Sequence, residues 1–179
     1  MHSYNVDVSP LLEDLGATTH EEGALELRGF EVGDEEFILD KPLRFSVDLT
    51  NAGSGIVASG TVQASAIATC SRCLEPFPLV IDADVEGFYV LPGREDEIPE
   101  EQETEPILGE GTVDLFPALL AALTLEAPFA PLHDEACAGL CPVCGCNLNE
   151  ETCDCHAEES LLGPLAGLKD LLDNDELAR

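Results

Sequence analysis

Two close pairs of cysteines, Cys141-Pro-Val-Cys144 and Cys153-x-Cys155, are the residues of this chain best suited to chemistry. Thiolates paired on tight turns can close a tetrahedral shell around one Zn²⁺, and Pro142 and Gly145 supply the turn that aims two sulfurs at a common point. The spacing predicts a first metal site of Cys141, Cys144, Cys153 and Cys155. A second site is expected from Cys70 and Cys73 reaching across the fold to Cys137 and His133, whose i, i+4 spacing lets both face one ion if that stretch turns helically. Cys146 is then spare. His156 is crowded by its neighbour Cys155.

Other chemistries compete for the same residues. Eight cysteines is an even number and suits a disulfide scaffold. Against that, the opening Met1-His-Ser-Tyr-Asn-Val-Asp7 has neither the basic nor the apolar stretch of an export signal, so a reducing cytoplasm is expected. A dithiol oxidoreductase needs a helix start to lower the pKa of the attacking thiol, and Pro76 and Pro78 disfavour a helix after Cys73. A catalytic zinc keeps one coordination position open, whereas four thiolates close the shell. The expectation is a structural metal and no enzyme.

The elements that must position these residues are mainly strands. Leu43, Phe45, Val47 and Leu49 alternate with Arg44, Ser46, Asp48 and Thr50, the period of a half-buried strand. A turn at 51–55 leads to a long small-residue strand from Ile56 to Cys70. After the Cys70/Cys73 turn, Leu79, Ile81, Ala83 and Val85 alternate with polar residues on a strand returning antiparallel. Ala24 to Phe30 reads as another strand, and Val6 to Leu12 as an edge strand or short helix. Residues 92 to 111, crowded with acids and prolines, read as a loop or linker. Asp114 can cap a helix bearing Leu115, Leu119, Leu120 and Leu123 that ends before Pro128, and Leu161 to Leu172 predict a terminal helix. The expected fold class is α+β: an antiparallel sheet able to curl into a partial barrel, with flanking helices and a C-terminal zinc knuckle. The expected organisation is one composite domain: a β-rich region over 1–91, the acidic loop over 92–111, and helix, knuckle and terminal helix packed on the sheet over 112–179.

Charge narrows the partners. With 37 acidic and 7 basic residues the formal net charge is −30. No Lys or Arg occurs between Arg94 and Lys169, so the knuckle has no cation of its own with which to hold phosphates. Acidity also serves solubility, but as a binding surface it suits a basic protein better than naked RNA.

The segments Cys70-Ser-Arg-Cys-Leu-Glu-Pro-Phe77, Cys137-Ala-Gly-Leu-Cys-Pro-Val-Cys-Gly-Cys-Asn-Leu-Asn149 and Cys153-Asp-Cys155 resemble the YceD (DUF177) family. The opening Val6 to Leu12, Val113-Asp-Leu115, Pro131-Leu132 and Leu165 to Leu172 are similar to that family in order and spacing. The chain departs from it at His133, where many relatives carry Cys, and at Cys146, where relatives usually show a small or polar residue. It also lacks the Asp-Pro-Arg that often follows the knuckle. The resemblance implies a noncatalytic role in accumulation of large-subunit (23S) ribosomal RNA, and the cysteine spacing adds one zinc ion with room for a second. Combined with the charge, it implies a basic ribosomal protein or a large-subunit assembly particle as partner. A zinc-knuckle RNA-binding module is the alternative, ahead of a thiol oxidoreductase.

Overall fold

The computed structural model describes residues 2–94, 99, 103–109 and 111–155. Along the described chain lie strands β1 (Asn5–Asp7), β2 (Thr18–Leu25), β3 (Gly29–Val32), β4 (Glu35–Leu39), β5 (Leu43–Asn51), β6 (Gly55–Thr69), β7 (Pro76–Val90), β8 (Glu105–Pro106) and β9 (Thr112–Asp114). Helix α1 (Phe116–Glu126) follows, and a single 3-10 turn sits at Ser9–Leu11. The chain groups into two compact units: a sheet unit of Met1–Thr69 with Pro76–Pro131, and a cysteine-bearing unit of Cys70–Glu75 with Leu132–Arg179.

Side-chain alternation builds the sheet. On β5, Leu43, Phe45, Val47 and Leu49 are buried while Arg44, Ser46 and Asp48 face solvent, which is the half-buried pattern that fixes register. β6 pairs antiparallel with β7 along its whole length, Gly55 opposite Val90 through Thr69 opposite Pro76. A strand has two edges, so β5 and β4 must share the other: β5 pairs over Ile56–Gln63 and β4 beyond it at Ala66 and Ile67. β2 extends the sheet outside β5, β3 outside β4, and β8 lies parallel beside the end of β7. β1 and β9 form a separate antiparallel pair. Gly60 stands where β6 crosses close to β5; a Cβ there would run into the Ser46 carbonyl and the Val47 backbone.

The sheet is not closed, and its pairings do not bear out the partial barrel. Among the described residues β2 pairs only with β5, and β3 only with β4. α1 instead packs on β7, with smaller contacts to β6 and β3. Leu119, Ala122 and Leu123 bury into this contact, and Gly87 lets the Ala118 methyl come within 3.3 Å of its would-be Cβ. The flanking helices reduce to this one helix among the described residues, and the expected terminal helix at Leu161 to Leu172 lies outside them. The N-cap of α1 is Leu115, not the expected Asp114, which stands one residue earlier at the end of β9; its carboxylate accepts the Phe116 N–H at 3.0 Å and the Tyr4 N–H at 2.8 Å, tying the helix start to the residue before β1. Two expectations were too coarse. Ala24 to Phe30 is interrupted, its ends belonging to β2 and to the β3–β4 hairpin, and Val6 to Leu12 is a strand followed by the 3-10 turn.

Asn51 is the one buried polar side chain among the described residues, 4% exposed. Its Nδ2 donates to the Leu11 carbonyl at 2.7 Å, and its Oδ1 accepts the Gly53 N–H at 2.8 Å. Replacing it removes these bonds and a longer one to the Leu12 carbonyl at 3.4 Å, leaving the half-buried Gly53 N–H without that partner and the Leu11 carbonyl with the Asp14 N–H at 3.3 Å. Asn51→Ala is therefore expected to cost about 2–3 kcal/mol, read as a lower midpoint in urea with unchanged slope. A loss under about 0.5 kcal/mol would mean that water replaces the amide.

The outward face of the sheet is acidic. Asp82, Asp84 and Glu86 alternate outward on β7, Asp48 on β5 and Glu22 on β2, with Arg44 a fixed cation among them. The Gln63 amide donates to Asp82 at 2.5 Å, and His20 lies 2.7 Å from Asp48.

Candidate metal centres

The cysteine-bearing unit repeats one backbone construction twice. In Cys70-Ser-Arg-Cys-Leu-Glu75, the Leu74 N–H donates to the Cys70 carbonyl at 2.8 Å and the Cys70 N–H to the Glu75 carbonyl at 2.9 Å. In Cys141-Pro-Val-Cys-Gly-Cys146, the Gly145 N–H donates to the Cys141 carbonyl at 2.9 Å and the Cys141 N–H to the Cys146 carbonyl at 2.8 Å. Both fifth residues take left-handed φ, +62° for Leu74 and +75° for Gly145. Each turn aims its two sulfurs to the same side, as a metal knuckle requires.

Leu74 is the single non-glycine residue with positive φ among the described residues, and it is 61% exposed. Left-handed backbone costs a side-chain-bearing residue about 1 kcal/mol, and nothing buried repays it here. Leu74→Gly is expected to stabilise the unit by up to about 1 kcal/mol, and Gly145→Ala, whose Cβ meets no atom within 4 Å, to destabilise it by about as much. Chelator competition on the two variants checks this; shifts of the same sign would dismiss backbone strain as the cause.

The two knuckles are joined by polar contacts that spacing alone does not reveal. The Arg72 guanidinium donates to the carbonyls of Glu135 at 2.9 Å and Cys137 at 3.0 Å, and its own carbonyl accepts the Leu140 N–H at 3.1 Å. Gly139 at φ +75° allows that approach, its Cβ position lying 3.2 Å from the Arg72 oxygen. Asn147 donates to Glu75 at 3.0 Å, while Asn149 accepts the Ala138 N–H at 2.7 Å and donates to the Cys137 sulfur at 3.4 Å. Sequence reasoning missed Arg72, Asn147 and Asn149 as parts of the site. Their signal was their place beside the cysteines, two of them inside Cys137 to Asn149.

Two groups of ligand atoms result, each with all its atoms within 4.8 Å of one another: Cys70, Cys73, His133 and Cys137, and Cys141, Cys144, Cys146 and Cys153. In the first, the Cys70 and Cys137 sulfurs stand 3.8 Å apart, and Cys73 Sγ lies 3.4 Å from His133 Nδ1. A tetrahedron with zinc–sulfur bonds of about 2.3 Å has sulfur–sulfur edges of about 3.8 Å, whereas a disulfide is about 2.05 Å. All eight thiols are free. The second group takes in Cys146, the spare residue of the sequence reading. Cys155, expected as its fourth ligand, is not among the atoms so grouped. His156 lies outside the described residues.

Each group holds one sulfur ready to ionise, Cys70 and Cys141, and one that resists it, Cys73 and Cys146. Burial pushes the Cys70 thiol up, but the N–H groups of Cys73, His133 and Arg72 and the His133 ring together outweigh it and bring it down to about 5. For Cys73 the Glu75 N–H favours the thiolate, yet burial and the adjacent Cys70 and Cys137 sulfurs win and raise it to about 11. Cys141 is lowered to about 6, first by the Cys144 N–H and then by that of Val143. Cys146 and Cys155 are raised to about 12, chiefly by the Cys144 thiol and then by burial. Such a cluster cannot ionise fully by itself, and a divalent cation removes the conflict. The donor set, thiolates with one imidazole, fits Zn²⁺.

The chain matches the family model described as Large ribosomal RNA subunit accumulation protein YceD over residues 58–172. An uncharacterized protein of Mycobacterium tuberculosis (strain ATCC 25618 / H37Rv) is 31% identical over 152 residues, 80% of this chain and 73% of the relative. An uncharacterized protein of Mycobacterium leprae is 26% identical over 107 residues, 60% of this chain and 49% of the relative. The chloroplastic large ribosomal RNA subunit accumulation protein YCED homolog 1 of Arabidopsis thaliana is 35% identical over 66 residues, 36% of this chain and 21% of its own. No solved structure matches. Among the described residues no helix is long and apolar enough to cross a membrane.

Proposed function

The chain belongs to the YceD family, and from that premise we propose that it is a noncatalytic factor in large-subunit ribosome assembly, working in the cytoplasm. Its cysteine-bearing unit is braced by Zn²⁺. One observation carries the metal: the only buried side chains of that unit, among the described residues, are Cys70, Cys73, Cys137 and Cys141. Four thiols are no hydrophobic core, so the unit depends on ion coordination for its fold. The first ion is held by Cys70, Cys73, His133 and Cys137. The second is held by Cys141, Cys144 and Cys153, with the fourth position supplied from Cys146 or Cys155.

The acidic outer face of the sheet supports a basic protein over RNA as the direct partner, with the acidic 95–110 segment adding to it. Positive charge is sparse where an RNA module would need it, and Arg72 is engaged with two backbone carbonyls. Opposite net charges speed encounter and orient it more than they add affinity. Capture from nuclease-treated lysate is expected to enrich large-subunit ribosomal proteins, and depletion to lower large-subunit rRNA. No enrichment together with normal rRNA would end this reading. Submicromolar binding to naked rRNA fragments at about 150 mM salt, with a steep salt slope, would favour the RNA module instead.

A further inference from the structure

Each cysteine group brackets a segment whose side chains hold a ligand segment of the other, and we propose that the two centres bind zinc cooperatively, with Arg72 and Asn149 as the positioning residues that couple them. The proposal rests on the metal reading above and deepens it. Cys146 and Cys153, both in the second group, bracket the segment that carries Asn147 and Asn149. From there Asn149 donates to the sulfur of Cys137, a member of the first group, at 3.4 Å and accepts the Ala138 N–H at 2.7 Å. Asn147 donates to the Glu75 carboxylate of the first knuckle at 3.0 Å. Gathering Cys146 and Cys153 on one ion fixes both ends of this segment and so presents the two amides to the first centre.

The brace also runs the other way. Cys70 and Cys73 bracket Arg72, and joining them to Cys137 seats the guanidinium on the Glu135 and Cys137 carbonyls, 2.9 and 3.0 Å away. The Arg72 carbonyl accepts the Leu140 N–H at 3.1 Å, one residue before Cys141 opens the second knuckle. Between the two groups the Leu148 N–H donates to the Gly139 carbonyl at 2.9 Å, and Leu140 bridges to Asn147. Residues 137–149 therefore belong to both centres at once.

Sharing that span makes the binding of one ion matter to the other. The buried side chains of this unit, among the described residues, are thiols, so no apolar core orders residues 137–149 in advance. Whichever ion binds first bears the conformational entropy of ordering the span, and the second meets ligands already placed. An amide donor on a ligand sulfur adds to this by holding the ligand's orientation, an outer-shell contact typically worth about 10- to 100-fold in metal affinity.

The test uses the reduced full chain with Co²⁺ as the probe. Native mass spectrometry counts the ions, and absorption bands distinguish the three-thiolate, one-imidazole centre from the all-thiolate one. Cys144→Ser/Cys153→Ser disables the second centre; the first should still take its ion, but about fivefold or more weakly than in the wild type. Cys70→Ser/Cys73→Ser should weaken the second centre by the same factor, because coupling between binding sites is reciprocal and typically amounts to about 5- to 150-fold. Asn149→Ala keeps every ligand of both groups. It should lower the first centre's affinity while the second is intact, and leave it unchanged within about twofold in the Cys144→Ser/Cys153→Ser background. Arg72→Ala should behave likewise toward the second centre, tested against Cys70→Ser/Cys73→Ser. Centres whose affinities ignore the loss of each other's ligands overturn the cooperativity. Equal weakening in both backgrounds makes Arg72 and Asn149 local supports and overturns their coupling role. A wild type that takes no ion would instead remove the metal reading itself, and this proposal with it.

Discussion

Stripping metal from the reduced chain with a strong chelator should abolish amide protection in residues 70–75 and 132–155 while leaving β5, β6 and β7 protected. The contrast follows from what each unit buries. The sheet unit holds a continuous apolar core in which Phe37, Leu43, Leu49, Ile56, Leu119 and Leu123 are fully enclosed, each contributing about 1.5–3 kcal/mol. The other unit encloses only thiols. Structural zinc supplies roughly 10–16 kcal/mol to small domains of this kind, far more than the knuckle hydrogen bonds could at about 1 kcal/mol each. The reporters are the N–H groups of Leu74, Leu140 and Gly145, bonded at 2.8, 3.1 and 2.9 Å. Cys70→Ser or Cys137→Ser should each lower zinc by one equivalent in elemental analysis, and His133→Ala should weaken the same centre. Equal protection of these amides before and after chelation, or zinc well below one per chain, would refute the metal brace.

What the sequence made legible was whatever local periodicity encodes. β5, β6 and β7 were recognisable because their side chains alternate in registers that one buried face enforces, and α1 because its leucines recur at helical spacing. The β3–β4 hairpin was hidden because Glu26, Leu27 and Arg28 read as the interior of a strand, although they mark its interruption. The cysteines were legible as metal-type residues, but their grouping was not, since both Cys146 and Cys155 fit a knuckle by spacing and only the three-dimensional turn separates them. Leu74 ran against propensity: a leucine at φ +62° announces nothing in the sequence, and its role emerges from matching Gly145 in the sister turn. Arg72 carried no role in the sequence beyond its place between two cysteines. Its donation to two carbonyls more than sixty residues away comes from chain tracing that no local pattern specifies.

The acidic face gives the second large effect. Asp82, Asp84 and Glu86 project from alternate positions of β7, opposite Gln63, Thr61 and Ser59 of β6, so short uncharged side chains flank the acids along this part of the sheet. Like charges two residues apart on one strand repel, and exposure leaves them little stabilising work within the fold. Converting all three to Asn or Gln should leave the urea midpoint unchanged or slightly raised. Association with salt-washed large-subunit precursor particles should slow by about tenfold or more at low ionic strength, since steering by a charged face is worth 10–10³ in rate. The difference should shrink as salt shortens the screening length to about 8 Å near 0.15 M. Association rates by stopped flow across a salt series decide the matter. A variant that associates as fast as wild type at low salt would show that this face is solvated surface, and would move the search for the partner's contact to the acidic 95–110 segment, where Glu103 and Glu105 are exposed.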